Sequence, residues 1–220
     1  MARIKQGILG PITGRIANII GYERLGQPVI RSIGRKSSIP RSDAQKAVSM
    51  KFKLTKAFLK PLKNFINVSY KTAVKGSTKI PENQAQSYNS KFAIKGIYPD
   101  LEMDYTKVMV SEGDLPGAEN ITIELEGNML KFKWDSDPEL HHHRFRDQAM
   151  LVAYLPTNNN AFYTVSSARR SAGEDILEIH PVKKANGNDE IDQSVEAYIA
   201  FISDDREQVS NSIYAGRIAL

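Results

Sequence analysis

The last hundred residues of this 220-residue chain are cut by turn residues into seven short β-leaning runs, and no other feature restricts the fold as much. The runs are 120–126, 129–135, 148–155, 161–165, 175–180, 195–202 and 210–219, with Gly127-Asn128 and 158–160 among the turns. In the first run Ile121, Ile123 and Leu125 alternate with polar residues, and in the second Leu130, Phe132 and Trp134 do the same. A period of two sends successive side chains to opposite faces of a sheet, so each strand is expected to have one face in and one face out. Seven such strands predict a β-sandwich.

The front of the chain reads differently. Gly7, Gly10, Pro11, Gly14 and Gly21 rule out a regular helix there. Two β-leaning runs, 15–24 and 28–33, are joined by Leu25-Gly26-Gln27, which predicts a hairpin. On a continuous first strand Ile16, Ile20 and Tyr22 share one face, and Arg31 and Arg35 share a face of the second. Ser42-Asp43 then offers a helix start, and Ala47, Met50, Leu54, Ala57 and Phe58 recur at helical spacing to 59. Leu54 and Phe58 are expected to pack this helix on the hairpin. Pro61 opens a second helical segment with Leu62, Phe65 and Ile66. A helix over 81–94, too polar for a core, and a strand over 101–110 follow. These elements give an α+β chain in three parts. They are a basic hairpin–helix module (1–75), a linker with a short helix and strand (76–118) and an acidic seven-stranded sandwich (119–220).

Charge follows the same division. Residues 1–75 hold 16 Lys and Arg against Glu23 and Asp43, a net +14, while 76–220 hold 14 against 23 acids, a net −9. Such an imbalance marks a surface built to meet something. Arginine makes bidentate contacts with phosphate and carboxylate that lysine does not. The partner- or polyanion-binding set is therefore Arg15, Arg24, Arg31, Arg35, Lys36 and Arg41. Two partners fit this set. One is a protein surface, including the acidic half of a neighbouring copy. The other is nucleic acid.

Chemistry of other kinds finds little footing. There is no cysteine, which excludes disulfides, thiolate metal sites and cysteine nucleophiles. His141-His142-His143 are adjacent, so they diverge in a loop rather than converge on one ion. Asp135, Asp137 and Glu139, like Asp189, Glu190 and Asp192, lack the spacing of a calcium loop. Neither glycine pair near the N-terminus is followed by the Lys-Ser or Lys-Thr of a phosphate loop, and no nucleophile elbow or His-Glu-x-x-His pair occurs. No catalytic residue, cofactor or metal is assigned, and the chain is expected not to be an enzyme. No apolar stretch reaches membrane-spanning length, and glycine, proline and Arg15 interrupt the N-terminal apolar run before signal-peptide length. The expected location is cytoplasmic or particle-associated.

Two resemblances add to this reading. Residues 119–220 resemble fibronectin type III domains, which carry a core Trp on the second strand and a Tyr on the sixth, positions held here by Trp134 and Tyr198. The whole chain resembles a family of uncharacterised bacterial proteins. The resemblance rests on Ala-Arg-Ile-Lys-Gln-Gly-Ile-Leu-Gly at 2–10, the hairpin at 14–33, the helix entry Pro40-Arg41-Ser42-Asp43-Ala44-Gln45, Phe58-Leu59-Lys60-Pro61-Leu62 and Val195-Glu196-Ala197-Tyr198-Ile199. Ile39 stands where that family has Asn, and Ser49 where it often has Arg. A similar hairpin and Pro-Arg-x-x-Ala-Gln segment occurs in proteins of phages and mobile elements. The resemblance implies a structural or assembly component that docks through its basic front, with the sandwich as spacer or binding head. Nucleic-acid binding through the same face is the alternative.

Overall fold

The computed structural model describes residues 3–8 (backbone only), 10–35, 37–136, 144–180 and 194–220. The chain divides into two compact units, 1–42 and 43–220.

Unit 1 is an antiparallel meander of four strands, β1 (Arg3–Ile8), β2 (Ile12–Ile16), β3 (Ile19–Arg24) and β4 (Gln27–Ser32). The expected hairpin is present between β3 and β4, but its loop is the two-residue Leu25-Gly26, both at positive φ (50° and 76°). That backbone matches the right-handed twist of paired strands. The run 15–24, however, is not one strand. The chain reverses at Ala17-Asn18, pairing Ile16 with Ile19 and Arg15 with Ile20. The reversal changes the parity, so Ile16 lies on the face opposite Ile20 and Tyr22. Gly14 pairs with Gly21, where a β-carbon would sit 2.0 Å from the carbonyl oxygen of Ile12.

Unit 2 begins with α1 (Asp43–Leu59) and α2 (Lys63–Ser69), and α3 (Pro81–Phe92) packs against both. A small hairpin follows, β5 (Ile94–Ile97) and β6 (Asp100–Met103), turning at a cis Tyr98-Pro99. The expected strand 101–110 stops at Met103 and gives way to a 3-10 turn at Tyr105–Lys107. The seven remaining strands lie close to their expected positions. They are β7 (Thr122–Glu126), β8 (Met129–Lys133), β9 (Gln148–Leu155), β10 (Asn160–Thr164), β11 (Glu174–Glu178), β12 (Ser194–Ile202) and β13 (Ile213–Ala219). They form a four-stranded sheet ordered β10-β9-β12-β13 and a three-stranded sheet ordered β11-β8-β7, antiparallel throughout. The chain is thus mixed α and β, mostly β.

Two apolar clusters share the larger sheet. Odd residues of β9 and β12, such as Leu151, Ala197 and Ile199, cluster with Leu130 and Phe132 of the smaller sheet and with Trp134 just beyond β8. Even residues, Met150, Val152, Tyr154, Tyr198 and Ala200, meet Phe58, Leu62, Phe65 and Ile66 of the helical segment. β9 and β12 are consequently buried on both faces, unlike the one-sided strands expected. Their near-continuous apolar sequences, Ala-Met-Leu-Val-Ala-Tyr-Leu and Ala-Tyr-Ile-Ala-Phe-Ile, fit that double burial. Trp134 and Tyr198, the two resemblance markers, sit in different clusters on opposite sides of this sheet.

The helices therefore belong with the strands. Phe58 is 1% exposed, with its ring 4.5 Å from that of Tyr154 and within contact of Tyr105 and Tyr198. Of the two residues expected to hold the hairpin, Phe58 is covered by the sheet of its own unit, while Leu54 is half-buried beside the β6 segment. Accordingly the division falls after Ser42 and not at 75. Nor is 76–118 a linker. Asn89 of the supposedly solvated α3 is fully buried. Its side-chain amide donates to the Met109 carbonyl (2.8 Å) and accepts from the Met109 N–H (2.9 Å), as a strand neighbour would. Further along, Ser69 Oγ donates to Val110 O (2.6 Å) and Ser111 Oγ to Ser210 O (2.6 Å). These bonds satisfy a polar backbone that would otherwise be costly to bury.

Candidate functional site

Register decides what the arginines of unit 1 can do. Arg15 pairs with Ile20, Ile20 with Arg31, Tyr22 with Val29 and Arg24 with Gln27. Residues paired directly across antiparallel strands share a face. Arg15, Arg24 and Arg31 thus project from one face, around a centre of Ile20, Tyr22 and Val29. All three arginines are exposed, and the Arg15 Nε–H donates to Ala17 O at 3.2 Å. The other face carries Ile16, Ile19 and Ile30, which are 45%, 45% and 58% exposed. Arg35 lies beyond the end of β4, so it does not share a strand face with Arg31, and Arg41 is exposed just ahead of α1. Lys36 lies outside the described residues. The structure brings together three of the six expected cations. Among the described residues no carboxylate pairs with Arg24, Arg31 or Arg35.

The division at Ser42 also redistributes charge. Unit 1 holds eight Lys and Arg against Glu23, while the eight lysines from Lys46 to Lys75 belong to unit 2. Several of these are matched locally. Lys46 meets Asp43 at 2.8 Å, Lys63 meets Glu82 at 3.5 Å and Lys75 meets Glu207 at 2.7 Å.

Unit 2 contains a cleft that the sequence did not announce, a cavity of about 640 Å³ between α1, β6 and the outer end of the larger sheet. Its polar floor is Glu196, fully buried on β12. Tyr214 Oη donates to one carboxylate oxygen (2.7 Å), and Arg217 Nε donates to the other (2.6 Å). Both donors stand on β13, brought there by the pairing of Glu196 with Arg217. A buried carboxylate needs this company, because desolvating an unpaired charge is prohibitive. Burial first, and the Glu196 contact second, push the Tyr214 hydroxyl to a higher pKa, while the Glu196 hydrogen bond raises that of Arg217. Tyr105 is also raised, chiefly by burial. Each oxygen of Glu196 accepts from one of these donors, and the carboxylate holds Arg217 in place. The one clue in the sequence is the acid within the apolar run Val-Glu-Ala-Tyr-Ile-Ala.

A second buried pair lies within the other cluster. Arg170 is 3.5 Å from Asp147, donates to the carbonyls of Pro116 (2.6 Å) and Gly117 (3.1 Å), and stacks 3.8 Å over the Phe201 ring. Its role is to tie the 116–117 segment to the sheets. Among the described residues no group of three or more His, Asp or Glu is placed to hold a metal ion. His180 neighbours Glu178 at 3.3 Å. His141, His142 and His143 lie outside the described residues, as do Asp137, Glu139, Asp189, Glu190 and Asp192. No described helix is long and apolar enough to cross a membrane.

No curated protein and no solved structure matches the chain. Residues 10–216 match the model of a family of unknown function, DUF6266, a span running from the N-terminal meander to the last strand, and the chain belongs to that family.

Proposed function

We propose that this protein is a non-enzymatic structural or assembly component that docks through its N-terminal basic sheet. The partner in this reading is a neighbouring copy, whose unit 2 holds 22 Lys and Arg against 24 Asp and Glu, a net −2 beside the +7 of unit 1. One observation carries the reading: in unit 1, of the described residues from 10 to 42 only Gly21 is buried. A sheet without a core of its own is marginal in water. Covering its apolar centre while matching Arg15, Arg24 and Arg31 to carboxylates would supply what it lacks. Opposite charges on one chain suit head-to-tail association.

In the same proposal the seven C-terminal strands form a fibronectin type III-like sandwich acting as spacer or binding head. The β11-β8-β7 and β10-β9-β12-β13 orders and the shared cluster around Trp134 support it. A place in a particle of the kind made by phages or mobile elements rests on the N-terminal resemblance alone. The non-enzymatic reading rests on the catalytic motifs that the sequence lacks.

Size-exclusion chromatography with light scattering tests the reading, on untagged protein near 0.15 M salt, where exposed charges are screened beyond roughly 8 Å. The expected result is a defined multiple of 24.6 kDa that Arg24→Glu plus Arg31→Glu reduces to monomer. A monomer at all concentrations, or an oligomer indifferent to that change, would sink it. Co-eluting nucleic acid lost with the same double change would favour the alternative use of the arginine face.

A further inference from the structure

The helices of unit 2 hold a second cationic surface, separate from the arginine face. A recess of about 410 Å³ opens between α1, the start of α2 and α3. Lys56, Lys60 and Lys63 stand around it, and Phe52 forms one wall with 52% of its surface exposed. Among the described residues neither Lys56 nor Lys60 has a carboxylate partner, and Lys63 meets Glu82 only at 3.5 Å. Lys56 lies in the last turn of α1 and Lys60 directly beyond its end, with the Lys60 N–H bonded to the Lys56 carbonyl (3.1 Å), so the two like charges stand close and an anion between them is favoured. Gln86 Nε2 donates to the Phe52 carbonyl (3.2 Å), fixing the position of α3 beside the aromatic wall. Asn83 adds an amide at the edge.

A concave site with cations at its rim, an exposed aromatic ring and an amide matches one ligand chemistry better than others. Phosphates meet the lysines, a base stacks on the phenyl ring, and the amide meets the base edge. We infer that this recess binds single-stranded nucleic acid, one base against Phe52 and the flanking phosphates at Lys56, Lys60 and Lys63. An anionic membrane is less suited, because its headgroups meet a flat surface and leave an amide-edged recess unfilled. The inference goes beyond the assembly reading and does not depend on it, since no residue of unit 1 takes part.

Fluorescence anisotropy of labelled oligo-dT of roughly 12 nucleotides, a length one small module covers, provides the test with the full chain. Three phosphate contacts on a single strand predict an affinity loss of roughly 20-fold between 50 and 200 mM salt. Lys56→Glu plus Lys60→Glu is expected to abolish binding. Phe52→Leu, which keeps an apolar side chain at an exposed position, is expected to weaken it about fivefold or more through lost stacking. Arg24→Glu plus Arg31→Glu should leave it unchanged. No binding at low salt, binding that survives the lysine changes, or binding lost only with the arginine changes would each overturn the inference. So would capture of anionic vesicles without any response to oligo-dT. Because Lys56, Lys60 and Phe52 are exposed, unchanged thermal melts will show that lost binding is not lost folding.

Discussion

Replacing Asn89 by alanine tests the claim that α3 is part of the core architecture. Asn89 makes three side-chain bonds, to the Met109 N–H, the Met109 carbonyl and the Ala85 carbonyl, at 2.8 to 2.9 Å. After truncation the Met109 carbonyl keeps a donor, Tyr70 Oη at 3.0 Å. The Met109 N–H does not, and an orphaned donor away from water costs about 2 kcal/mol. The two donated bonds and the vacated volume add roughly 1.5 kcal/mol. Alanine, as the better helix former, returns about 0.6 kcal/mol. The expected loss is about 3 kcal/mol, a fall in Tm of roughly 6–12 °C at this chain length. Trp134 is the sole tryptophan and lies in the core of unit 2, so its fluorescence during urea unfolding reports the relevant transition. Asn83→Ala, on the exposed side of the same helix, should cost under about 0.5 kcal/mol. If the two variants lose the same amount, the Asn89 bridge to Met109 does not hold α3 in place.

The remaining expectations concern charge, burial and backbone space. Tyr70, Tyr198, Tyr214 and Tyr105 all have hydroxyl pKa values raised above 10.0, each chiefly by burial. Each keeps its proton in the folded state while the unfolded chain loses it, so stability is intact below pH 10 and falls as pH rises above it. For the fully buried Tyr70 and Tyr198 the decline approaches about 1.4 kcal/mol per pH unit each and is smaller for the partly exposed Tyr105 and Tyr214, and alkaline melts should flatten in Tyr70→Phe. Arg217→Ala should cost about 3 kcal/mol, because it strips a buried carboxylate of its cation, whereas Glu196→Gln leaves a half-exposed arginine to water and should cost nearer 1 kcal/mol. Equal losses in denaturant titrations would refute that asymmetry. Phe58→Ala, emptying a site walled by three tyrosines, should lose about 3–5 kcal/mol on the Trp134 signal. Gly21→Ala forces a β-carbon against the Ile12 carbonyl. It should abolish self-association while leaving the Trp134 transition in place, and an unaltered oligomer would argue against docking through this sheet.

Local signals were sufficient wherever an element is defined by its own residues. The alternation in 120–126 and 129–135, the turn at Gly127-Asn128 and the helix start at Asp43 were legible because strand period, turn geometry and capping act over a few residues. The β3–β4 hairpin was legible for the same reason. The reversal at Ala17-Asn18 was not, since Ala17 adopts a positive φ of 47° that its side chain does not announce. With it went the face assignment of Ile16, whereas that of Arg31 and Arg35 failed because β4 ends at Ser32.

The sequence alone determined that the chain is rich in strands, that its front is cationic and that cysteine chemistry is absent. Tertiary structure decided which surfaces those strands and charges serve. An apolar stripe states that a helix must be covered, and it does not state by what. Phe58 met the tyrosines of β9 and β12, and this one choice moved the unit boundary to Ser42 and gave the central strands two buried faces. The Glu196 cleft likewise needed the pairing of β12 with β13. A buried charge is tolerable only beside its partner, and that partner stands 21 residues away in sequence. Long-range pairing of this kind is a property of the folded backbone, and no window of neighbouring residues contains it.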